Sequence, residues 1–318
     1  MTSPAKQFRQ IFDVGREVIN WYPGHMKHSF THMQAKMRQV DCIVELHDSR
    51  VPFSGRNALF LKSLIGSKPH VLVLNKVDLI DESSRRSIIS RYKEEQDNVV
   101  FSNCLDQTCK GLRKIVPLLL KLINEQCKMP KSGDARYRVM VAGIPNVGKS
   151  SFINALRSRN LHKGRATPVG AVAGVTKSVM NDIKINSEPP LYLIDTPGIL
   201  CPQILDIESG MKLALCGCLK DEFVGIALIA DFLLYWMNKT QNFKYVNILN
   251  LKEPTDKIFP LLIKIASDSN HTMRIKDIST GKNHTVPNTQ YAAQHLVKLY
   301  RKGAFGDLNL DNLSEGDL

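Results

Sequence analysis

Between residues 41 and 195 the hydrophobic and polar positions alternate between two rhythms. Short, nearly continuous apolar runs occur at Asp41–Leu46, His70–Leu74, Val99–Phe101, Tyr137–Ala142 and Leu191–Ile194. Their length and their content of branched residues predict strands, buried on both faces in the manner of a parallel sheet. Helical stretches lie between them. A polar surface helix is predicted from Asp81 to Gln96, opened by Asp81 or Ser83. An apolar helix is predicted from Gly111 to Lys128, with a kink at Pro117. A third is predicted from Lys149 to Ser158. Upstream, Met26, Phe30, Met33 and Met37 recur at i, i+4, i+7 and i+11, which predicts an amphipathic helix over 26–37. Lys27, His28, His32, Lys36 and Arg38 fall off its apolar stripe. Strands alternating with helices imply an α/β fold built on a parallel sheet.

After about residue 203 the strand pattern stops, and helical stretches dominate at 206–220, 222–238, 254–269 and 288–302. The expected organisation is an N-terminal segment (1–24), an α/β domain (25–202), a small, mostly α-helical C-terminal domain (203–304) and a disordered acidic tail (305–318). From Asp307 onward the tail has four acids and no base. Met129–Arg136 has linker composition. The longest apolar run, Phe223–Met237, contains Asp231 and is short for a bilayer, so it reads as a buried helix.

Charge sharpens this division. The chain carries a formal net charge of +13. Residues 1–202 hold 30 Lys+Arg against 17 Asp+Glu, whereas residues 203–318 hold 13 of each. The whole excess lies in the α/β part and favours a polyanionic partner, nucleic acid or an anionic membrane face. The seven cysteines include no C-x-x-C pair, which argues against a disulfide framework and against a zinc site.

Three short motifs carry chemistry. Gly143-Ile144-Pro145-Asn146-Val147-Gly148-Lys149-Ser150 is a complete G-x-x-x-x-G-K-S phosphate loop between a predicted strand and a predicted helix. Gly143, Gly148, Lys149 and Ser150 form the expected phosphate cradle, whose glycines let backbone N–H groups converge on the phosphate oxygens, and Asn146, Val147 and Ser151 are further expected GTP-binding residues. Lys149 would reach the β- and γ-phosphates, and Ser150 would hold Mg²⁺. Asp195-Thr196-Pro197-Gly198 is a D-x-x-G segment, with Asp195 placed for the Mg²⁺ water shell and the Gly198 N–H for the γ-phosphate. Asn75-Lys76-Val77-Asp78 is an N-K-x-D segment just past a strand end. Its Asp78 can accept from guanine N1–H and N2–H, and facing adenine it would stay unpaired. Ser102 and Asn103 sit where a further base-contacting loop belongs. Thr176 is the candidate switch threonine for Mg²⁺, with an ordinary loop threonine as the alternative. Ile199 follows Gly198 where many such sites have a water-orienting glutamine, and an isoleucine cannot perform that task. His25 is a polar group that could replace it, or else a surface histidine at a helix start. The order is unusual: the guanine reader precedes the phosphate loop by 68 residues.

The order N-K-x-D, G-x-P-N-V-G-K-S, D-T-P-G resembles the YlqF/RbgA family of circularly permuted GTPases. Trp21-Tyr22-Pro23-Gly24-His25-Met26, Asp48-Ser49-Arg50-Val51-Pro52 and Lys212–Gly217 add to the resemblance, which spans about residues 20–302 and leans to the eukaryotic, mitochondrial branch. It implies a circularly permuted P-loop GTPase domain with a small helical domain behind it. It also implies binding of GTP and GDP with Mg²⁺ and K⁺, and hydrolysis of GTP. Family members assist assembly of the large ribosomal subunit, bind its rRNA and are stimulated by the ribosome. The implied location is the mitochondrial matrix, peripheral to the inner membrane, and the implied state is a monomer. The resemblance assigns His25 as the catalytic histidine and Asn146 as the potassium ligand. The family's P-G-x-T switch reads Ala173-Gly174-Val175-Thr176 here.

A ribosome assembly factor and a membrane-associated signalling or transport GTPase are the two competing expectations. The sequence shows neither a C-terminal C-a-a-X box nor Gly at position 2, and this favours the first.

Overall fold

A computed structural model describes residues 8–13, 35–56, 66, 68–92, 98–126, 136–167, 182–196, 198, 206–276 and 282–311. The described residues form two compact units. One comprises residues 35–220 with 309–311; the other comprises 8–13 with 221–308.

The first unit is built on a six-stranded sheet. Its strands are β1 (Cys42–Asp48), β2 (His70–Asn75), β3 (Val99–Phe101), β4 (Tyr137–Ala142), β5 (Asp182–Asn186) and β6 (Leu191–Asp195), in the order β3-β2-β1-β4-β6-β5. All pairs are parallel except β5–β6. Every residue of β1 is buried, as are five of the six in β2 and in β4, which is why these strands read as unbroken apolar runs. The helices are α1 (Glu82–Tyr92), α2 (Lys110–Gln126), α3 (Lys149–Leu161) and α4 (Ile207–Leu215). The α2 helix runs unbroken through Pro117.

The topology locates the site. From the centre, β1, β2 and β3 spread to one side, while β4, β6 and β5 spread to the other. The switch point is the crevice at the carboxyl ends of β1 and β4, where open α/β sheets bind ligands. The phosphate loop leaves β4 at that point, the N-K-x-D segment leaves β2 and the D-x-x-G segment continues β6.

The second unit contains α5 (Asp221–Val224), α6 (Ile226–Lys239), α7 (Lys244–Ile248), α8 (Ile258–Asp268) and α9 (Thr289–Arg301). α6 is its core helix, with Ile229, Phe232, Leu233 and Met237 fully buried. Among the described residues no helix is long and apolar enough to cross a membrane.

Several expectations differ from this architecture. Strand β5 was not expected, because only Ile183 and Ile185 alternate with polar residues over its five positions. The helical unit also carries an unexpected hairpin, β7 (Thr272–Lys276) and β8 (Asn283–Pro287). All of β7 is exposed, so no buried stripe marks it in the sequence. The expected boundary at 203 falls instead at 221. Helix α4 belongs to the sheet unit because Met211, Leu213, Ala214 and Leu215 are buried there. Residues 305–311 are ordered, contrary to the expected tail: Phe305, Leu308 and Leu310 are buried, and averaging over the acids hid those three apolar positions. Residues 8–13 join the helical unit, with Arg9 bonded to Asp231 and Asp256 and Phe12 packed on Phe232 and Tyr235. The predicted helix over 26–37 lies mostly outside the described residues, as do the linker over 129–135 and the tail over 312–318.

Candidate functional site

Asn75 ties three loops together. It ends β2 and is 3% exposed. Its Nδ2 donates to the Val147 carbonyl at 2.8 Å, and its Oδ1 accepts from Ser102 Oγ and from the Cys104 N–H, both at 3.2 Å. One side chain therefore joins the guanine-reading segment, the phosphate loop and the loop after β3. Lys76 adopts a left-handed backbone, φ 60°. Its Nζ donates to the Asn146 carbonyl at 3.0 Å and pairs with Asp48 at 2.8 Å. Burial opposes ionisation of Asp48, but the neighbouring Arg50 and Lys76 outweigh it and hold this carboxyl well below the usual range. Asp78 lies in a 3-10 turn, Val77–Leu79, with its side chain exposed. Ser102 is fully buried, and Asn103 Oδ1 accepts from the Leu105 N–H at 2.9 Å.

The phosphate loop closes at the start of α3. Gly148 caps that helix with φ 101°, and a Cβ there would stand 2.5 Å from Asn75 Nδ2, so both conformation and space require glycine. The first N–H groups of α3 have no side-chain cap from Gly148, which leaves donors and the positive end of the helix directed at the crevice. Lys149 is 7% exposed and its Nζ donates to the carbonyls of Gly143 (3.1 Å) and Ile144 (2.9 Å). Burial lowers its pKa to about 8, against the opposing pull of Asp195.

Ser150 Oγ donates to Asp195 Oδ2 at 3.3 Å. Asp195 is 2% exposed, and its other oxygen, Oδ1, is buried with no hydrogen-bond partner among the described residues. Burial raises the Asp195 pKa despite Lys149 and Ser150. An orphaned carboxylate oxygen beside a serine hydroxyl is a donor set of hard oxygens, and it fits Mg²⁺. Gly198 approaches the phosphate loop so closely that a Cβ would lie 2.7 Å from Pro145 Cα. The D-x-x-G and G-x-x-x-x-G-K-S segments thus meet.

Beside α3 a cavity of about 290 Å³ opens toward the loop after β3, lined by Cys104, Leu105, Gln107, Ser151, Asn154 and Arg165 among others. Ser151 lines this space, and Val147 is fully buried. His25, Thr176 and Ile199 lie outside the described residues.

Two contributors were missed by the sequence reading. Asn154 binds the segment that follows α3: its Oδ1 accepts from the N–H groups of Ala166 (2.9 Å) and Thr167 (3.1 Å), and its Nδ2 donates to the Thr167 carbonyl (2.9 Å). Thr167 Oγ1 in turn donates to the Ser150 carbonyl at 3.2 Å. An amide one helical turn after Ser150, among buried apolar neighbours, is the signal that could have revealed it. The second is Asp48, quoted only as part of a motif, whose role is to hold Lys76.

Comparison with known proteins agrees with this geometry. The profile described as a 50S ribosome-binding GTPase matches residues 138–264. Mitochondrial GTPase 1 of Aedes aegypti is 47% identical over 312 residues, covering 97% of this chain and 98% of the relative. Mitochondrial ribosome-associated GTPase 1 of Bos taurus is 41% identical over 308 residues, covering 96% and 92%. Ribosome biogenesis GTPase A of Bacillus cereus is 33% identical over 254 residues, covering 79% and 82%. Among solved structures, GNP-bound YlqF from T. maritima superposes with a TM-score of 0.55 at 19% identity, covering 89% of this chain and 97% of that one, a likeness of fold. With the three motifs meeting at one sheet edge and relatives matching nearly end to end, the chain belongs to the YlqF/RbgA family of circularly permuted GTPases and is a GTP hydrolase.

Proposed function

We propose that this GTPase is a GTP-dependent assembly factor of the large mitochondrial ribosomal subunit, supporting mitochondrial translation. It binds the subunit's rRNA in the GTP state, hydrolyses GTP when the particle stimulates it, and leaves. It acts as a monomer in the mitochondrial matrix, peripheral to the inner membrane. The observation that carries the nucleotide part is the meeting of Asn75, Val147 and Cys104 beside a buried Lys149 and an orphaned Asp195 oxygen. The ribosomal and mitochondrial parts are supported by the names of the relatives and by the basic excess of residues 1–202.

In this reading Asp78 selects guanine, Lys76 supports the base loop, and Ser102 and Asn103 border the base. Val147, Gly148, Lys149, Ser150 and Ser151 hold the phosphates. Ser150 and Thr176 would hold Mg²⁺, with Asp195 on the side of its water shell, and the ion would supply positive charge beside the phosphates. Asn146 would hold K⁺ beside the phosphates. The Gly198 N–H binds the γ-phosphate. His25 orients the attacking water in place of a glutamine, a task that needs position more than basicity. Sedimentation of a mitochondrial lysate with a non-hydrolysable GTP analogue tests the assignment. Co-migration with the large subunit is expected. Flotation with lipid and absence from ribosomal fractions would refute it in favour of a membrane-signalling GTPase.

A further inference from the structure

Residues 309–311 pack against the nucleotide-binding unit although the helical unit separates them from it in sequence. The Leu310 side chain is fully buried and its N–H donates to the Arg50 carbonyl at 2.9 Å. Asp311 is 6% exposed. Its Oδ2 accepts from the N–H groups of Phe53 (2.7 Å) and Ser54 (3.0 Å), and its Oδ1 accepts from the Ser54 hydroxyl. The loop so held is the continuation of β1, and its first residues hold the guanine-reading segment. The Ser49 N–H and Oγ both donate to the Asn75 carbonyl, at 2.8 and 2.7 Å, and Asp48 pairs with Lys76. Lys212 of α4 lies 3.8 Å from Asp311 Oδ1. A carboxylate accepting two backbone N–H groups and a hydroxyl is a strong, directional anchor. Among the described residues, its hydrogen-bond and ion-pair partners include no phosphate-binding residue.

We propose that Asn309–Asp311 is a strap that fixes the guanine-reading loop, with Asp311 as a positioning residue for base selectivity. The proposal rests on the reading of Asp78 as the guanine acceptor. The strap acts along one bonded path: Asp311 to residues 53–54, through the turn to Ser49 and Asp48, and from these to Asn75 and Lys76. Its loss loosens the segment that aims Asp78 at the base and leaves the phosphate cradle in place. The signature is a narrowed preference between bases.

GDP and IDP separate the two effects, since inosine lacks the 2-amino donor that Asp78 reads. Fluorescence titrations of the full chain compare wild type, Asp311→Ala, Asp311→Asn and Asp78→Asn, with thermal melts to confirm folding. Asp311→Ala is expected to weaken GDP binding about fivefold and to narrow the GDP-over-IDP preference about threefold, the scale of coupling through a shared network. Asp311→Asn keeps an acceptor for the Phe53 and Ser54 N–H groups and restores most of both. Should Asp311→Ala fail to fold, Ser54→Ala removes one bond to the strap and is expected to narrow the preference about twofold. Asp78→Asn tests the underlying reading: an unchanged preference there removes the guanine acceptor and the strap proposal with it. Loss of preference in Asp78→Asn with wild-type values in Asp311→Ala, or in Ser54→Ala where that variant decides, overturns the strap proposal alone.

Discussion

Replacing Asn75 by alanine removes a side chain that joins three loops, and its cost can be worked from the contacts. Three hydrogen bonds disappear, at 2.8, 3.2 and 3.2 Å. The Ser102 hydroxyl can rotate toward another acceptor. The Val147 carbonyl and the Cys104 N–H cannot, and both residues are buried. Each orphaned buried group costs about 1–3 kcal/mol, and a water entering the vacated volume recovers part of that. The net expectation is a destabilisation of about 2–3 kcal/mol, or roughly 5–10 °C in Tm for a unit of this size. The same change releases the guanine-reading segment from the phosphate loop, so GDP should bind at least about tenfold more weakly through lost positioning. Urea denaturation and nucleotide titration measure the two effects on one preparation. Stability within about 0.5 kcal/mol of wild type together with unchanged GDP affinity would refute the claim that Asn75 is the tie, since surface substitutions alone reach that size.

Asp78→Asn should shift preference from guanine toward xanthine nucleotides, because the amide presents a donor where the carboxylate accepted; full retention of GTP selectivity in competition binding would exclude Asp78 as base reader. The buried Lys149, with its pKa lowered to about 8, must be charged to hold phosphate, and an anionic ligand raises that pKa in the complex. GDP affinity should therefore be flat below about pH 7.5 and fall as pH rises above 8, by up to about tenfold per unit; a constant affinity from pH 7 to 9 would contradict this. His25→Ala should leave GTP affinity nearly intact and reduce particle-stimulated hydrolysis about tenfold or more, a positioning effect. Unchanged stimulated turnover would return His25 to a surface or RNA-contacting role.

The sheet was legible because its central strands are buried on both faces, which leaves continuous apolar runs such as Val71–Leu74 and Val139–Ala142. The nucleotide motifs were legible because their chemistry is local: Gly148, Lys149 and Ser150 act within one turn. What escaped was chemistry assembled from distant residues. Asp311 meets Ser54 across 257 positions, and nothing in either neighbourhood announces the other. Asn154 looked like an ordinary helical amide until its partners, Ala166 and Thr167, were placed beside it. The hairpin β7–β8 was missed for a different reason: its strands bury little, so the period-2 signal that marks a half-buried strand is absent.

The permuted order is compatible with the site because a parallel sheet fixes which strands are neighbours, not the order in which the chain visits them. β1, β2 and β3 fill one side before the chain returns to β4 at the centre, and the carboxyl ends that carry Asn75, the phosphate loop and Asp195 still converge. What the order does change is the covalent route out of the site. The D-x-x-G segment ends at Gly198, and among the described residues α4 is the helix that precedes the start of the helical unit's 221–308 segment at Asp221. The chain then returns to the sheet unit at Asn309, where the strap meets the loop that supports the guanine reader. In sequence, residues 221–308 of the helical unit thus begin downstream of the D-x-x-G segment and end just before the residues that hold the support of the N-K-x-D segment.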